Sequence, residues 1–406
     1  MGISLGLVGL GSFGSAFAKL FKSHPLVDRI GLCDCEAEKL HKFSMDPFMA
    51  DKLSPGDCYA TLDEICRADF DALVIITQPW LHAPQCIQAL EHGKSVYSAV
   101  PVIQLPDSEE ILDWCARLKD AVKKSGKHYM LGETTVYRPQ TMFCRRMAQE
   151  KRFGDFVYAE GEYAHDVDHY WSLREVMDYR TRGVVGSQYQ KIMQKYWDRN
   201  IKASPMFYPT HSVSGPLSVM QTRALKVSAG GFRNRTGDDF FANDEFSNVT
   251  AMFYMENGAM LRISELREVG CHSMDRIEAE TFRIFGTSGS FAQDTWEENF
   301  RSKTRSACRP IKSEKVSIKT MRDPLPPDVM NCFQKVLNPN ARPGDDFEPD
   351  GHGGSHPFLV HEFCSAVAEN RSPLIDIEAA CSYMAMGVAA HQSALKDGEL
   401  IKVQNL

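Results

Sequence analysis

The chain has 406 residues, 43% of them hydrophobic, a formal net charge of −7 and a sequence pI of about 6.0. That length argues for two domains, and nothing in that charge suggests the basic face by which proteins usually grip nucleic acid. No run of 18 apolar residues occurs, so no membrane-spanning helix is expected. The N-terminus is apolar without a basic leader and breaks at glycines between residues 9 and 14, which reads as a strand and turn and not as a signal peptide. The twelve cysteines are scattered, and the one close pair, Cys33-x-Cys35, lacks a zinc spacing. They are expected to be reduced thiols in a cytoplasmic setting, with no metal site.

Ile3 to Val8 read as a short buried strand, followed by a glycine turn and by Phe13, Phe17, Leu20 and Phe21 at helical spacing. Arg29 to Cys33 form a second apolar run ending at Asp34, and Phe70 to Thr77 a stronger one. A helix over 81–92, a strand at Ser95–Ser98 and a last strand at Lys127–Leu131 complete an alternation that predicts βαβ units and a parallel sheet. The second half changes character. Strands are expected at Phe156–Glu162, at Val249–Met255 and Ala259–Ile263 around an Asn257-Gly258 hairpin, and at Phe282–Phe285. The stretch 302–350, rich in charge and proline, reads as long surface loops. Pro357 is placed to open a helix, Asp376 to cap the last one and Gly398 to end it.

Gly9-Leu10-Gly11-Ser12-Phe13-Gly14 fits G-x-G-x-x-G, and it stands between a strand and a helix, the context that motif requires. Gly9 permits the tight turn, Gly11 the approach of a pyrophosphate and Gly14 close helix–strand packing. Ser12 and Phe13 open the helix whose free N–H groups would meet the phosphates. Asp34, twenty residues after Gly14, suits the ribose hydroxyls and would repel a 2′-phosphate, so NAD is favoured over NADP.

Thr77-Gln78-Pro79-Trp80-Leu81-His82 and Gly93-Lys94-Ser95-Val96 resemble the T-x-P-x-x-H loop and G-K-x-V strand of the Gfo/Idh/MocA family of sugar-active, NAD(P)-dependent proteins. The resemblance implies an α/β fold: an N-terminal Rossmann parallel sheet over 1–131, and over 132–406 an α/β domain for substrate binding and oligomerisation, with an open, mostly antiparallel sheet. It places Thr77, Gln78 and His82 at the cofactor and implies a homo-oligomer acting on a small carbohydrate. One departure matters. The family's dehydrogenases carry E-K-P after the G-K-x-V strand, and this chain has Ala99-Val100-Pro101. A valine neither donates a proton nor polarises an alcohol, so the acid–base work falls to other residues.

Further segments are similar to the NAD-dependent glycoside hydrolases of the α-N-acetylgalactosaminidase type: Gly132-Glu133 with Tyr137 downstream, Ala159 to Asp166, Tyr208-Pro209-Thr210-His211, and Gly351-His352-Gly353-Gly354. Thr134-Thr135 and Ser355-His356 depart from that branch's Asn-Cys and Met-Asp. The branch oxidises a sugar at C3, removes the acidified C2 proton, expels the C1 substituent, adds water and reduces C3 again. This implies His211 as base for the C3 hydroxyl, with Tyr208 sharing its face if the segment is helical. Tyr163 would serve C2 or orient the ring, and Glu133 would contact nicotinamide ribose or substrate at the end of the last Rossmann strand. His165, with Asp166 beside it, and Trp197 and Arg199, with Asn200, are candidate sugar contacts; His352 and His356 lie in a loop able to reach a cleft. Three readings follow: an NAD-dependent sugar or polyol oxidoreductase, a redox-neutral glycosidase, or a non-catalytic sensor. Fold alone does not separate them.

Overall fold

Six parallel strands form the first sheet of the computed structural model: β1 (Ile3–Val8), β2 (Val27–Cys33), β3 (Leu53–Tyr59), β4 (Ala72–Ile75), β5 (Ser95–Ser98) and β6 (Tyr129–Leu131). Their order is β3-β2-β1-β4-β5-β6. In this doubly wound order the chain reverses direction beside β1, which opens a crevice at the carboxyl ends of the strands. β4 is buried along its whole length, as a central strand covered on both faces must be, and its unbroken Ala-Leu-Val-Ile run reflects that. β3 carries Pro55 and Gly56 and is mostly exposed in the middle. It lies at the sheet edge, where a missing N–H costs little. The structure describes residues 2–165, 167–168, 172–270, 279–298, 312–342 and 345–406.

The chain forms two compact units. The first comprises Met1–Ile103, Asp113–Pro139 and Asp323–Cys381, and the second Gln104–Leu112, Gln140–Arg322 and Ser382–Leu406. A single division at 131/132 therefore does not separate them, because the segment 323–381 returns to the first unit. The reason is apolar burial. The helix Ser12–Ser23 offers Phe17 and Phe21, and the helix His356–Glu369 answers with Phe363, 6.0 Å from Phe21 between ring centroids. Phe17, Phe21, Tyr97 and Phe363 are all buried, each contributing roughly 1.5–3 kcal/mol on transfer from water. Within the stretch expected to be loop, Pro327–Leu337 is a helix that buries Val329 and Phe333; prolines at its start suit a first turn. Asp376 caps the last helix through the Ala379 N–H.

The second unit holds a nine-stranded sheet of β7 (Phe156–Ala164), β8 (Ala224–Phe232), β9 (Asn248–Met255), β10 (Met260–Leu266), β11 (Ala279–Gly286), β12 (Gly289–Ala292), β13 (Thr295–Glu298), β14 (Lys312–Lys315) and β15 (Ile401–Lys402). The order is β14-β13-β12-β11-β7-β10-β9-β8-β15. Every neighbouring pair is antiparallel except β7 and β10, which run parallel with Tyr163 opposite Glu265. Gly258, at φ +86°, turns the chain between β9 and β10. The helix Thr210–Met220 is buried at every position but Ser218. It lies so close to β7 that a Cβ at Gly161 would stand 1.9 Å from the Ser212 carbonyl oxygen.

Candidate functional site

Each unit builds a site of its own. In the first, β1 delivers the chain to Gly9, whose φ of +92° suits glycine, and a Cβ there would stand 2.1 Å from the Ile76 carbonyl oxygen. A Cβ at Gly14 would stand 2.0 Å from the Gly9 carbonyl oxygen. Gly11 differs, since a Cβ there meets nothing within 4 Å. The helix begins at Ser12 with no side-chain cap on Gly11, so its first N–H groups and its dipole face that open space. A diphosphate fits this cradle. Asp34 is buried at the end of β2, where Oδ2 accepts the Leu10 N–H at 2.7 Å and Oδ1 the Glu36 N–H at 2.9 Å. The carboxylate thus braces the turn, and each oxygen keeps lone-pair capacity for a ribose hydroxyl. Arg29 and Lys39, the cations nearest in sequence, are paired with Asp57 and Glu36.

The loop after β4 is tied inward. Thr77 Oγ1 donates to Gln85 Oε1 at 2.5 Å. Gln78 Oε1 is buried without a hydrogen-bond partner among the described residues, which suits a ligand donor. His82 is 1% exposed, with Nδ1 2.8 Å from the Pro101 carbonyl oxygen and Nε2 3.3 Å from that of Thr77. It joins the loops after β4 and β5, so its place is behind the crevice and not at its surface. Glu133 likewise stands in the interior: it is 0% exposed and its Oε1 accepts the Thr135 N–H at 2.9 Å. Packing of Tyr97 against Gly132 closes the space beside it, since a Cβ at Gly132 would stand 2.2 Å from the Tyr97 hydroxyl. Burial, then the Glu133 charge, raise the Tyr97 phenol. His352 and His356 pair through Nδ1 and Nε2 at 2.8 Å, and both rings meet Phe13 edge-on at 5.6 and 5.5 Å. The Gly351 loop therefore stands beside the glycine turn.

The second unit gathers Tyr163, His165, Tyr208 and His211. β7 alternation turns Ala159, Gly161 and Tyr163 toward the helix Thr210–Met220, whose first turn carries His211. The Tyr163 hydroxyl lies 2.9 Å from His165 Nδ1. The Tyr163 and His211 rings are 4.8 Å apart, and those of Tyr208 and His211 5.4 Å. Tyr208 is not helical, having φ −132° and ψ 59° just before the helix, so it reaches His211 across the helix start and not along a shared face. Asp166 lies outside the described residues. Trp197 and Arg199 go elsewhere. Trp197 packs on Tyr189 at 6.3 Å, and Arg199 pairs with Asp107 at 3.8 Å beside the Tyr196–Glu110 bond. Neither touches Tyr163 or His211 among the described residues.

Sequence reasoning missed Glu265, Ser212 and Arg267. Glu265 is 0% exposed; its Oε1 accepts from the Ser212 hydroxyl and its Oε2 from Arg267 at 2.8 Å. The Arg267 guanidinium lies 4.6 Å over the Tyr163 ring and donates to the Tyr163 carbonyl at 3.3 Å. Burial pushes the Glu265 carboxyl up to about 7, offset in part by Arg267, by the Ser212 bond and by His211. The signal was the period of β10, where Leu261, Ile263 and Glu265 share one buried face. A phenol bonded to one imidazole, packed on a second and covered by a cation is equipped to move protons near neutrality. No group of three metal-ligating side chains occurs among the described residues.

Residues 3–133 match the Gfo/Idh/MocA family, described as an oxidoreductase family with an NAD-binding Rossmann fold. A glycosyl hydrolase family 109 protein 5 of Phocaeicola vulgatus is 34% identical over 178 residues, 42% of this chain and 33% of that protein. A glycosyl hydrolase family 109 protein of Shewanella putrefaciens is 26% identical over 221 residues, 53% of this chain and 43% of that protein. The chain thus spans less than half the length of these two relatives. Levoglucosan dehydrogenase, solved with NADH and L-sorbose, shares the fold at a TM-score of 0.70 and 18% identity over 100% of both chains.

Proposed function

Because residues 3–133 match the NAD-binding Gfo/Idh/MocA oxidoreductase family, we propose that the chain is an NAD-dependent enzyme that oxidises a hydroxyl of a sugar or polyol. The observation that carries this is the Tyr163–His165–His211 cluster, a proton-handling set in a chain with valine at the family's lysine position. His211 takes the proton of the reacting hydroxyl, and Tyr208 beside it orients that hydroxyl. When bound, NAD takes up the hydride of the oxidised carbon. Gly9, Gly11, Ser12, Phe13 and Gly14 hold the diphosphate, Asp34 the adenosine ribose, and Thr77 and Gln78 line the cofactor crevice. His82 supports them from behind.

The redox-neutral glycosidase is a second reading, and a specific feature favours it. Simple oxidation needs one base, and this cluster offers two, His211 and the Tyr163–His165 pair. In the closed cycle Tyr163 passes its proton to His165 and removes the C2 proton, the C1 substituent leaves, and water adds before C3 is reduced again. The names of the two relatives above agree with it. The substrate is a small carbohydrate in either reading, and the free thiols among the described residues suit the cytoplasm. The test incubates the purified chain and NAD⁺ with free sugars and with nitrophenyl glycosides. Accumulating NADH marks the oxidoreductase, and nitrophenol release without net NADH marks the closed cycle. Turnover undiminished in His211→Ala would overturn both.

A further inference from the structure

We propose that Glu265 is a positioning residue: its buried carboxyl holds Arg267 on the Tyr163 ring, faces His211, and sets the protonation of both acid–base groups. This rests on the acid–base reading above, and the geometry carries it further. The Ser212 hydroxyl has one hydrogen and two neighbouring acceptors, the Pro209 carbonyl at 3.1 Å and Glu265 Oε1. It therefore serves either state of the carboxyl. It donates to a carboxylate, or it accepts from a protonated carboxyl while donating to Pro209. Arg267 bonds the other oxygen, Oε2, which can accept in either state. A full turn of proton uptake and release at Glu265 thus needs no rearrangement of its neighbours.

The charges around it decide what that proton does. Arg267 faces Glu265 from the end of its own strand, His211 from the helix Thr210–Met220, and Tyr163, bonded to His165, from β7. Tyr208 borders His211. β9 presents Val249, which is apolar. Asp244 draws on Arg267 from outside the cluster. While Glu265 is a carboxylate it compensates Arg267 and favours a cationic His211. Once Glu265 is protonated, Arg267 is uncompensated. His211 is then held neutral, ready to act as base, and the Tyr163 phenolate is favoured under the guanidinium. Burial places the Glu265 carboxyl at about 7, within the range where histidine works.

The experiment follows the His211 titration by NMR in the full-length protein labelled in its histidine rings, with the resonance identified by its loss in His211→Asn. Glu265→Gln keeps an acceptor for Arg267 and a donor for Ser212 but removes the charge. The pH at which His211 gains its proton is expected to fall by about one unit, tenfold in the protonation constant. Ser212→Ala, which removes the donor that favours the carboxylate, is expected to move it the same way by less, and it carries the test alone if Glu265→Gln does not fold. A His211 titration unchanged in the folded variants overturns the proposal. This readout needs no turnover, so absence of both NADH accumulation and nitrophenol release would sink the functional reading and leave the Glu265 result standing on its own.

Discussion

Six consecutive residues, Gly9 to Gly14, make the nucleotide turn, whereas the Tyr163–His211 cluster draws on β7, β10 and the helix Thr210–Met220. The turn is shaped by the φ of +92° at Gly9, which few residues other than glycine adopt, and by the close approach of Gly14 to the Gly9 carbonyl, and Asp34 braces it through the Leu10 N–H. The cluster is shaped by register: Tyr163 and Glu265 are neighbours because β7 and β10 run parallel, and the helix settles on them because Gly161 has no side chain. A local site of the first kind fails when its backbone cannot bend. An assembled site of the second kind fails when a packing distance changes, even with every functional side chain present.

The sharpest test of the assembled site removes its base. His211→Ala is expected to lower turnover by about 10²–10⁴-fold, the usual contribution of a general base, with NAD binding retained; steady-state rates and NAD titration check it. Two glycines then separate the sites. Gly9→Ala places a Cβ 2.1 Å from the Ile76 carbonyl oxygen at a φ of +92°. It is expected to cost on the order of 1–3 kcal/mol of strain and to abolish NAD binding, read by calorimetry. Gly161→Ala drives a Cβ against the Ser212 carbonyl oxygen. It is expected to destabilise by about 1–3 kcal/mol and to lower turnover by shifting His211 while NAD affinity persists. Loss of NAD affinity in Gly161→Ala would break the distinction between the two sites.

Acid should weaken both units by one mechanism. His24, packed against His361, is pushed from 6.5 down to about 3 by burial first and then by His361 and Lys52. His391 in the second unit is pushed down to about 4 by burial. Both are neutral when folded and take up a proton at about 6.5 when unfolded, so stability is full above pH 6.5 and falls as pH drops toward 4. Each adds up to about 1.4 kcal/mol per pH unit. Urea midpoints from pH 7 to pH 4.5 should decline, and His24→Asn or His391→Asn should each flatten the decline. The smallest effect is expected at Asp34: Asp34→Asn should narrow the preference for NAD over NADP by about tenfold, roughly 1.4 kcal/mol, as competitive binding of the two cofactors would show. An unchanged preference would leave Asp34 as a brace of the turn alone.

Much of the first sheet was legible because its strands are short apolar runs with buried neighbours: β1, β5 and the helix His82–Glu91 lie where the pattern put them. β3 escaped notice because an edge strand tolerates Pro55 and Gly56, and the helix Pro327–Leu337 because two buried residues, Val329 and Phe333, are a faint period. Tyr163, Tyr208 and His211 were legible through motif resemblance, and they do meet. Trp197 and Arg199 were plausible by residue type, but Asp107 and Tyr189 hold them. Glu133 reads as an open carboxylate at a strand end until Tyr97 and Gly132 close around it.

The sequence by itself determined the nucleotide turn and the acidic residue that goes with it. A glycine free to take a φ of +92° and a carboxylate at the end of the second strand are legible from spacing along the chain, although the fold brings Ile76 against Gly9 and Asp34 to the Leu10 N–H. Only the tertiary structure decided the company of Tyr163 and His211. A lone glutamate in a strand is ordinarily solvated, and Glu265 becomes a buried, proton-holding group through a parallel pairing and a helix contact that join residues 163, 212 and 265. Burial raises its carboxyl, and burial is a property of the assembled fold and not of any segment of it.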